Sequence, residues 1–417
     1  MTQMVLPLDE NNLTGFSSKV VGKIAIIGAG IGGLATAIAL RKQGIDAQVY
    51  DKARSLRAVG AGLSLFPNGL NSLNAIKPGI VESLKLAASQ TNIVNVKKST
   101  GETIARNRLT LLERYGQPML QIRWSRLQQI LASALPPDVI HLNWRCIGFE
   151  QNNNGVEAWF DGKNPVQADL LIGADGINSV VRQELIGDSP PRYAGRLSWR
   201  TVIEYSHELL SPNEVTIMTS ADGKIFTLID VGDGHIFWSA GALSTDDSIA
   251  QEAAVVKSRV LEKFAGWAEP VQAIVEQTDA EDIVERPICD RPPLLNWSKG
   301  RITLLGDAAH PMVPSLGQGG NTAFEDAWEL SQWLSHAPSI EVALAGYENS
   351  RIQRTQVIQA RSAFQGARSY DADSETFLGG VAEQAQASQS EFEDWLYNYR
   401  PECHEFVNTS TTRPSCT

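Results

Sequence analysis

The sequence is poor in the residues that build disulfide frameworks and metal sites, with four cysteines and six histidines among 417 residues. Cys146, Cys289, Cys403 and Cys416 are scattered without a C-x-x-C pair, and the histidines show no metal-ligand spacing. A disulfide scaffold, a dithiol redox centre and a metal site are therefore not expected. An excess of positive charge is also missing: 36 Lys plus Arg stand against 47 Asp plus Glu, and the net charge is -11. An acidic field repels phosphate backbones and anionic lipid, so nucleic acid is not an expected partner. No stretch approaches the ~20 apolar residues that span a bilayer. Met1 to Gly22 carries Asp9 and Glu10 and no apolar run, unlike a signal or transit peptide. A cytoplasmic enzyme of a small molecule fits these absences, and composition leaves the oligomeric state open.

What is present suits a globular protein. Hydrophobic residues make up 43% and charged residues 20% of a chain too long for one ordinary core. Lys23 to Gly28 is an apolar run feeding into glycines, as in a buried parallel strand. Leu34, Ala37, Ile38 and Leu40 repeat at helical spacing before Gly44, and Asp46 to Asp51 returns as a second strand, completing a βαβ unit. A helix is expected after Ser125, ending at Pro136-Pro137. From about 190 to 285, apolar runs separated by Gly and Asp turn signals read as an antiparallel sheet. Arg301 to Leu305 is another buried strand. Phe392, Trp395, Leu396 and Tyr399 read as a docked helix face, and 400–417 as a tail.

Gly28-Ala29-Gly30-Ile31-Gly32-Gly33 fits G-x-G-x-x-G, placed after a strand and before a helix. The first glycine permits the turn, the second admits a pyrophosphate close to the backbone, and the third allows helix–strand packing. The helix start offers free N–H groups and a positive dipole end to phosphate. Asp51 follows Gly33 by 18 residues, where a carboxylate can bind the adenosine ribose, and Lys52 beside it is counted among the cofactor-binding residues. This motif by itself leaves NAD and FAD both open.

Two later stretches bear on that choice: Leu171-Ile172-Gly173-Ala174-Asp175-Gly176 continuing to Arg182, and Leu305-Gly306-Asp307-Ala308-Ala309-His310-Pro311. The second continues through Pro314-Ser315-Leu316-Gly317-Gln318-Gly319-Gly320-Asn321 to Glu325-Asp326. A G-x-G-x-x-G, a D-G and a G-D motif in this order resemble the group A flavin-dependent monooxygenases, relatives of p-hydroxybenzoate hydroxylase. The similarity runs from about residue 23 to about residue 399, and its wording is similar to the zeaxanthin epoxidase, salicylate hydroxylase and urate hydroxylase branch.

The resemblance implies an α/β fold: a Rossmann-type FAD-binding domain with an antiparallel-sheet substrate domain inserted and a C-terminal helical segment. The expected division is an arm at 1–22, an FAD-binding domain of 23–88, 118–187 and 286–352, a substrate domain of 89–117 and 188–285, helices over 353–399 and a tail over 400–417. It implies tightly but non-covalently bound FAD, with NAD(P)H as a transient co-substrate and dioxygen captured as a flavin hydroperoxide. No side-chain nucleophile is expected. Asp307 would meet a ribityl hydroxyl, and the N–H groups of Gly317, Gln318, Gly319, Gly320 and Asn321 would face the flavin pyrimidine. Ser64 and an arginine before the helix near 126 are also implied. Relatives show R-x-x-L where this chain reads Arg123-Trp124-Ser125-Arg126-Leu127, so Arg123 is favoured and Arg126 stays open. Asp175 has two readings, a cofactor contact or a tight turn. His310 is read as structural beside the G-D turn.

With one dinucleotide fingerprint, FAD owns the fold and NAD(P)H has no domain of its own. The halogenase motif W-x-W-x-I-P is not matched by Trp199-Arg200-Thr201-Val202-Ile203-Glu204. Urate hydroxylases present an arginine, a tyrosine and an aspartate to the purine, and the corresponding positions here hold Ile225, Phe237 and Ser315. Pro314 adjoins them. That exchange implies a mostly apolar arene or alkene, to be hydroxylated or epoxidised, rather than a purine. A flavin reductase that transfers no oxygen and a non-enzymatic flavin-binding protein remain as alternatives.

Overall fold

The computed structural model describes residues 21–56, 61–187, 189–368 and 387–401. Most of the expected N-terminal arm, Gly60, residues 369–386 and the tail beyond 401, with Cys403 and Cys416, lie outside the described residues.

The opening strand Lys23–Ile27 buries four consecutive residues, which requires cover on both faces. It pairs in parallel with Asp46–Asp51 on one side and Leu170–Gly173 on the other. Ile140–Leu142 and Ile302–Leu304 complete a five-stranded parallel sheet at its two edges. The helices Ile31–Lys42 and Gly319–His336 pack on each other over this sheet. The helix expected after Ser125 spans Trp124–Ser133, with Arg123 at its N-cap.

The second large sheet has seven strands, in the order Val284–Asp290, Arg192–Glu204, His235–Leu243, Ile225–Asp230, Glu214–Thr219, Ile93–Lys98 and Thr103–Arg108. Turn signals suggested a wholly antiparallel sheet, but Glu214–Thr219 and Ile93–Lys98 run parallel. Such a pair needs a long crossover, which no local turn signal reveals. The strand Val284–Asp290 also continues across the boundary expected at 285. Alternation along these strands divides the two faces. Trp199, Trp238, Phe226 and Leu228 are buried against the helices Ala253–Lys263 and Val271–Gln277, with Phe264 and Ile274 between them. The opposite face is open to a cleft.

Toward the C-terminus, Phe392 and Leu396 of the helix Gln389–Tyr397 are buried with Val357 and Ile358 of the long helix Ile340–Arg368. Ser388 and Glu391 close that last helix with a capping box. Among the described residues no helix is long and apolar enough to cross a membrane.

Candidate functional site

Between the two large sheets lies a cleft of 1890 Å³, and its lining is assembled from all parts of the chain. At one end the strand Lys23–Ile27 runs into Gly28, whose φ is +112° and whose missing Cβ would stand 2.3 Å from the Ala174 carbonyl oxygen. A Cβ on Gly33 would stand 2.0 Å from the Gly28 oxygen, so this glycine serves helix–strand contact and does not line the cleft. Gly30 is different: a Cβ there meets nothing within 4 Å, and it opens on the cleft with Ile31 and Gly32. No side chain caps the helix that starts here. Its first N–H groups are therefore left for an anion.

Asp51 lines the cleft beside Lys52, with Oδ2 accepting from the Ala29 N–H at 2.7 Å and Oδ1 from the Ala53 N–H at 2.7 Å. Each carboxylate oxygen keeps a second lone pair for a hydroxyl. Gln128 donates to the Ala29 carbonyl at 2.7 Å, fixing the glycine turn from behind. Gln128, Trp144 and Arg145 line this end too. The sequence reading missed them because they come from a separate helix and loop and carry no local signature.

At the middle of the cleft the chain leaves the strand Ile302–Leu304 and turns through Gly306–Ala308. Asp307 opens on the cleft and is exposed there. No described residue hydrogen-bonds to its carboxylate, and desolvation pushes the carboxyl above the usual range, against the pull of His310. This turn is held from behind. Gly306 N–H donates to Asp326 at 3.1 Å, His310 Nε2 lies 2.6 Å from the same carboxylate, and Arg182 donates to the Ala308 and Ala309 carbonyls at 3.1 Å each. His310 is buried outside the cleft lining.

Glu325 and Asp326 are fully buried, and their partners are Arg351 and Arg354. Burial alone would raise both carboxyls. The guanidiniums, with His310 at Asp326, outweigh it and hold both below the usual range.

Gly317 has φ +63°, and with Gln318, Gly319 and Gly320 it brings the start of the 18-residue helix Gly319–His336 to the cleft without a side-chain cap. Asn321 is committed elsewhere. Its amide donates to the Ser64 carbonyl at 3.0 Å and the Gly317 carbonyl at 2.9 Å and accepts from the Phe66 N–H at 2.9 Å. It thereby ties the strand of Ser64 to the Gly317 turn and stays out of the lining. Ser64 lines the cleft, with its hydroxyl on Gln121 at 2.8 Å.

Arg123 is likewise outside the lining. Its guanidinium donates to Asp233 at 2.9 Å and lies 3.3 Å from His235 Nε2, latching the strand Met119–Arg123 to a turn of the seven-stranded sheet. Arg126 is exposed and also outside. Asp175 lines the cleft, but its carboxylate accepts from the Ser179 hydroxyl and from the Val180 N–H at 2.7 Å, at the start of the helix Val180–Ile186.

On the far side, Ile225, Phe237, Pro314 and Ser315 all line the cleft. A Cβ on Gly62 would stand 2.6 Å from the Phe237 ring, so that side chain packs directly against the strand Gly62–Leu65 leading through Ser64. Among the described residues no group of three or more His, Cys, Asp or Glu could hold a metal.

An uncapped helix start over glycines, a ribose-ready carboxylate and an unbonded carboxylate farther along suit an extended dinucleotide whose far end carries hydroxyls. A family of FAD-binding domains matches residues 22–362. The chain belongs to this family. It is an FAD-dependent monooxygenase, and its relatives carry that activity in their names. Aurachin C monooxygenase/isomerase of Stigmatella aurantiaca is 33% identical over 332 residues, covering 79% of this chain and 85% of that one. A 3-amino-4-hydroxybenzoate 2-monooxygenase of Streptomyces platensis is 33% identical over 82% of this chain and 87% of its own. The structure of Klebsiella pneumoniae HpxO with FAD and uric acid superimposes with a TM-score of 0.81 at 27% identity, covering 90% of this chain and 96% of that one. The three names specify three different substrates, so membership of the family leaves the monooxygenase's own substrate to be read from its cleft.

Proposed function

We propose that this monooxygenase draws its electrons from NADH or NADPH and hydroxylates or epoxidises a small arene or alkene whose reacting end is apolar. The observation that carries the reading is the wall formed by Ile225, Phe237, Ile217 and Ile229 on the cleft face of the seven-stranded sheet. FAD, when bound, supplies the electron transfer and the oxygen chemistry. The chain's task is to bind, orient and exclude water. Gly30 and the start of its helix would receive the pyrophosphate, Asp51 the ribose and Asp307 a ribityl hydroxyl. The uncapped helix start at Gly319 would stabilise negative charge on the reduced pyrimidine edge. Apolar walls keep water from the reacting carbon.

Against this wall a purine would leave several polar edges unmatched, at roughly 1–3 kcal/mol for each lost partner. Beside Pro314, Ser315 adds a small polar point, and the polar side chains of the sheet face, Thr227, Ser239 and Arg200, lie in a separate row from Phe237 and Ile229. The acidic net charge of -11 supports a small-molecule ligand over nucleic acid, and the scarcity of cysteine fits a cytoplasmic enzyme.

The test is nicotinamide oxidation by the purified yellow enzyme across arenes, alkenes, phenolic acids and urate, with products made under heavy dioxygen. Labelled product from an arene or alkene, and loss of that turnover in Ile225→Arg, is the expected result. Coupled turnover of urate would refute the apolar reading. Reduction of a substrate without label would make the protein a flavin reductase instead.

A further inference from the structure

The strand Arg192–Glu204 contributes more to the cleft than its halogenase mismatch suggested. Trp199 and Thr201 are buried on the helix-covered face, so Ser198 and Arg200 face the cleft, and both line it. Register places Arg200 opposite Ser239, which stands opposite Thr227, which stands opposite Ile217. The next row along the same face is Val202, Phe237 and Ile229. Two residues along a strand span about 7 Å, so the Arg200 row is one small ring away from the Phe237 row.

Among the described residues no carboxylate pairs with Arg200, and its Nε is buried without a hydrogen-bond partner. Burial, with Arg286 adding positive charge, pushes this guanidinium's pKa down. An arginine does not escape such a position by losing its proton. A buried cation with an open donor is costly unless something anionic arrives to match it. Two fully buried arginines show the contrast: Arg351 is held by Glu325 and Asp326, and Arg182 by backbone carbonyls.

We propose that Arg200 anchors a carboxylate on the substrate, so that the ligand lies with its anionic end on the sheet and its apolar end toward Phe237 and the flavin side. This rests on the reading of the cleft as a monooxygenase substrate site. The planar guanidinium matches a carboxylate with two parallel hydrogen bonds. The hydroxyls of Ser239 and Thr227, in the same row, can satisfy remaining lone pairs. A nicotinamide pyrophosphate is the poorer fit, because it brings two charges and the row holds one guanidinium beside apolar and hydroxyl side chains.

The experiment titrates the FAD-loaded enzyme with benzoate, salicylate and 4-hydroxybenzoate, and in parallel with their neutral amides and phenol. Binding is read from the perturbation of flavin absorbance. The expected result is that at least one acid binds more tightly than its amide by about ten- to a hundredfold. Arg200→Gln should abolish that preference with FAD content unchanged, and Arg200→Lys should keep part of it. Equal affinity for acids and amides, no binding of any acid at millimolar concentration, or a preference that survives in both variants would overturn the anchor. So would a rise in the KM for NADH or NADPH with benzoate binding unaltered, which would assign Arg200 to the nicotinamide. A colourless protein, or one giving no labelled product, sinks the monooxygenase reading. A yellow enzyme that oxygenates neutral arenes without acid preference sinks the anchor alone.

Discussion

The Asp307 carboxylate is exposed to the cleft and takes no hydrogen bond from a described residue, and partial desolvation nudges its carboxyl above the ordinary range. Water screens that charge in the FAD-free protein, and its oxygens are free to accept from a hydroxyl donor. Asp307→Ala should therefore weaken FAD by about 1.5–3 kcal/mol, the value of one charge-assisted bond, with little change in the melting temperature of the FAD-free protein. Asp51→Ala should also weaken FAD and in addition lower the melting temperature of the FAD-free protein, since the Ala29 and Ala53 N–H groups lose their acceptor. Titration of both apo-variants with FAD decides it: affinity unchanged in both would remove the cofactor from these positions.

Gly62 belongs to a strand, and its role is to leave room for the Phe237 ring from the other sheet. A methyl at 2.6 Å from that ring must push it away. Gly62→Ala is expected to alter arene affinity several-fold while FAD content stays at one per chain, as measured by absorbance titration. A variant with native arene affinity would show that the ring does not shape the site. How far such elements were readable varies with how local their cause is. The turn Gly28–Gly33 and Asp51 lie within one βαβ unit, so glycine spacing and one carboxylate were enough to propose them. Asp307 follows a strand in the same way. Arg123 was chosen from a motif one residue out of step, and its guanidinium is instead bound to Asp233. Asn321 sits in the right turn, yet its amide is spent on Ser64, Gly317 and Phe66. Alternation shows that Trp199 and Arg200 face opposite ways, but only the helices over Trp199 reveal which face is the floor of the cleft.

At the scale of the whole molecule, the flavin side is tied together by buried charge. Glu325 and Asp326 lie in the helix Gly319–His336, and Arg351 and Arg354 in the helix Ile340–Arg368. Arg351→Met should destabilise the fold by about 3–5 kcal/mol in chemical denaturation, because two buried carboxylates lose a shared partner. The pH dependence follows from the depressed carboxyls. Their stabilisation is fully present above the ordinary values of 3.8 and 4.5 and is lost as pH falls through the lower folded values. Acid denaturation of Arg351→Met should accordingly begin at higher pH than that of the parent. Coincident acid transitions would mean that the pair contributes nothing.

The order of strands in the parallel sheet has its own consequence during synthesis. Lys23–Ile27 is central, but the edge strand Ile302–Leu304 is contributed almost three hundred residues later. A ribosome must therefore release most of the chain before the sheet can close, and the Gly306–Ala308 turn emerges later still. Until then the strand Leu170–Gly173 keeps one edge unpaired and the helix Ile31–Lys42 lacks the helix Gly319–His336 that packs on it, so apolar surface is exposed to chaperones and to other nascent chains. The cofactor is thus a late arrival that seals a nearly finished protein, and flavin supply should govern the yield of folded enzyme rather than the rate at which its first domain forms.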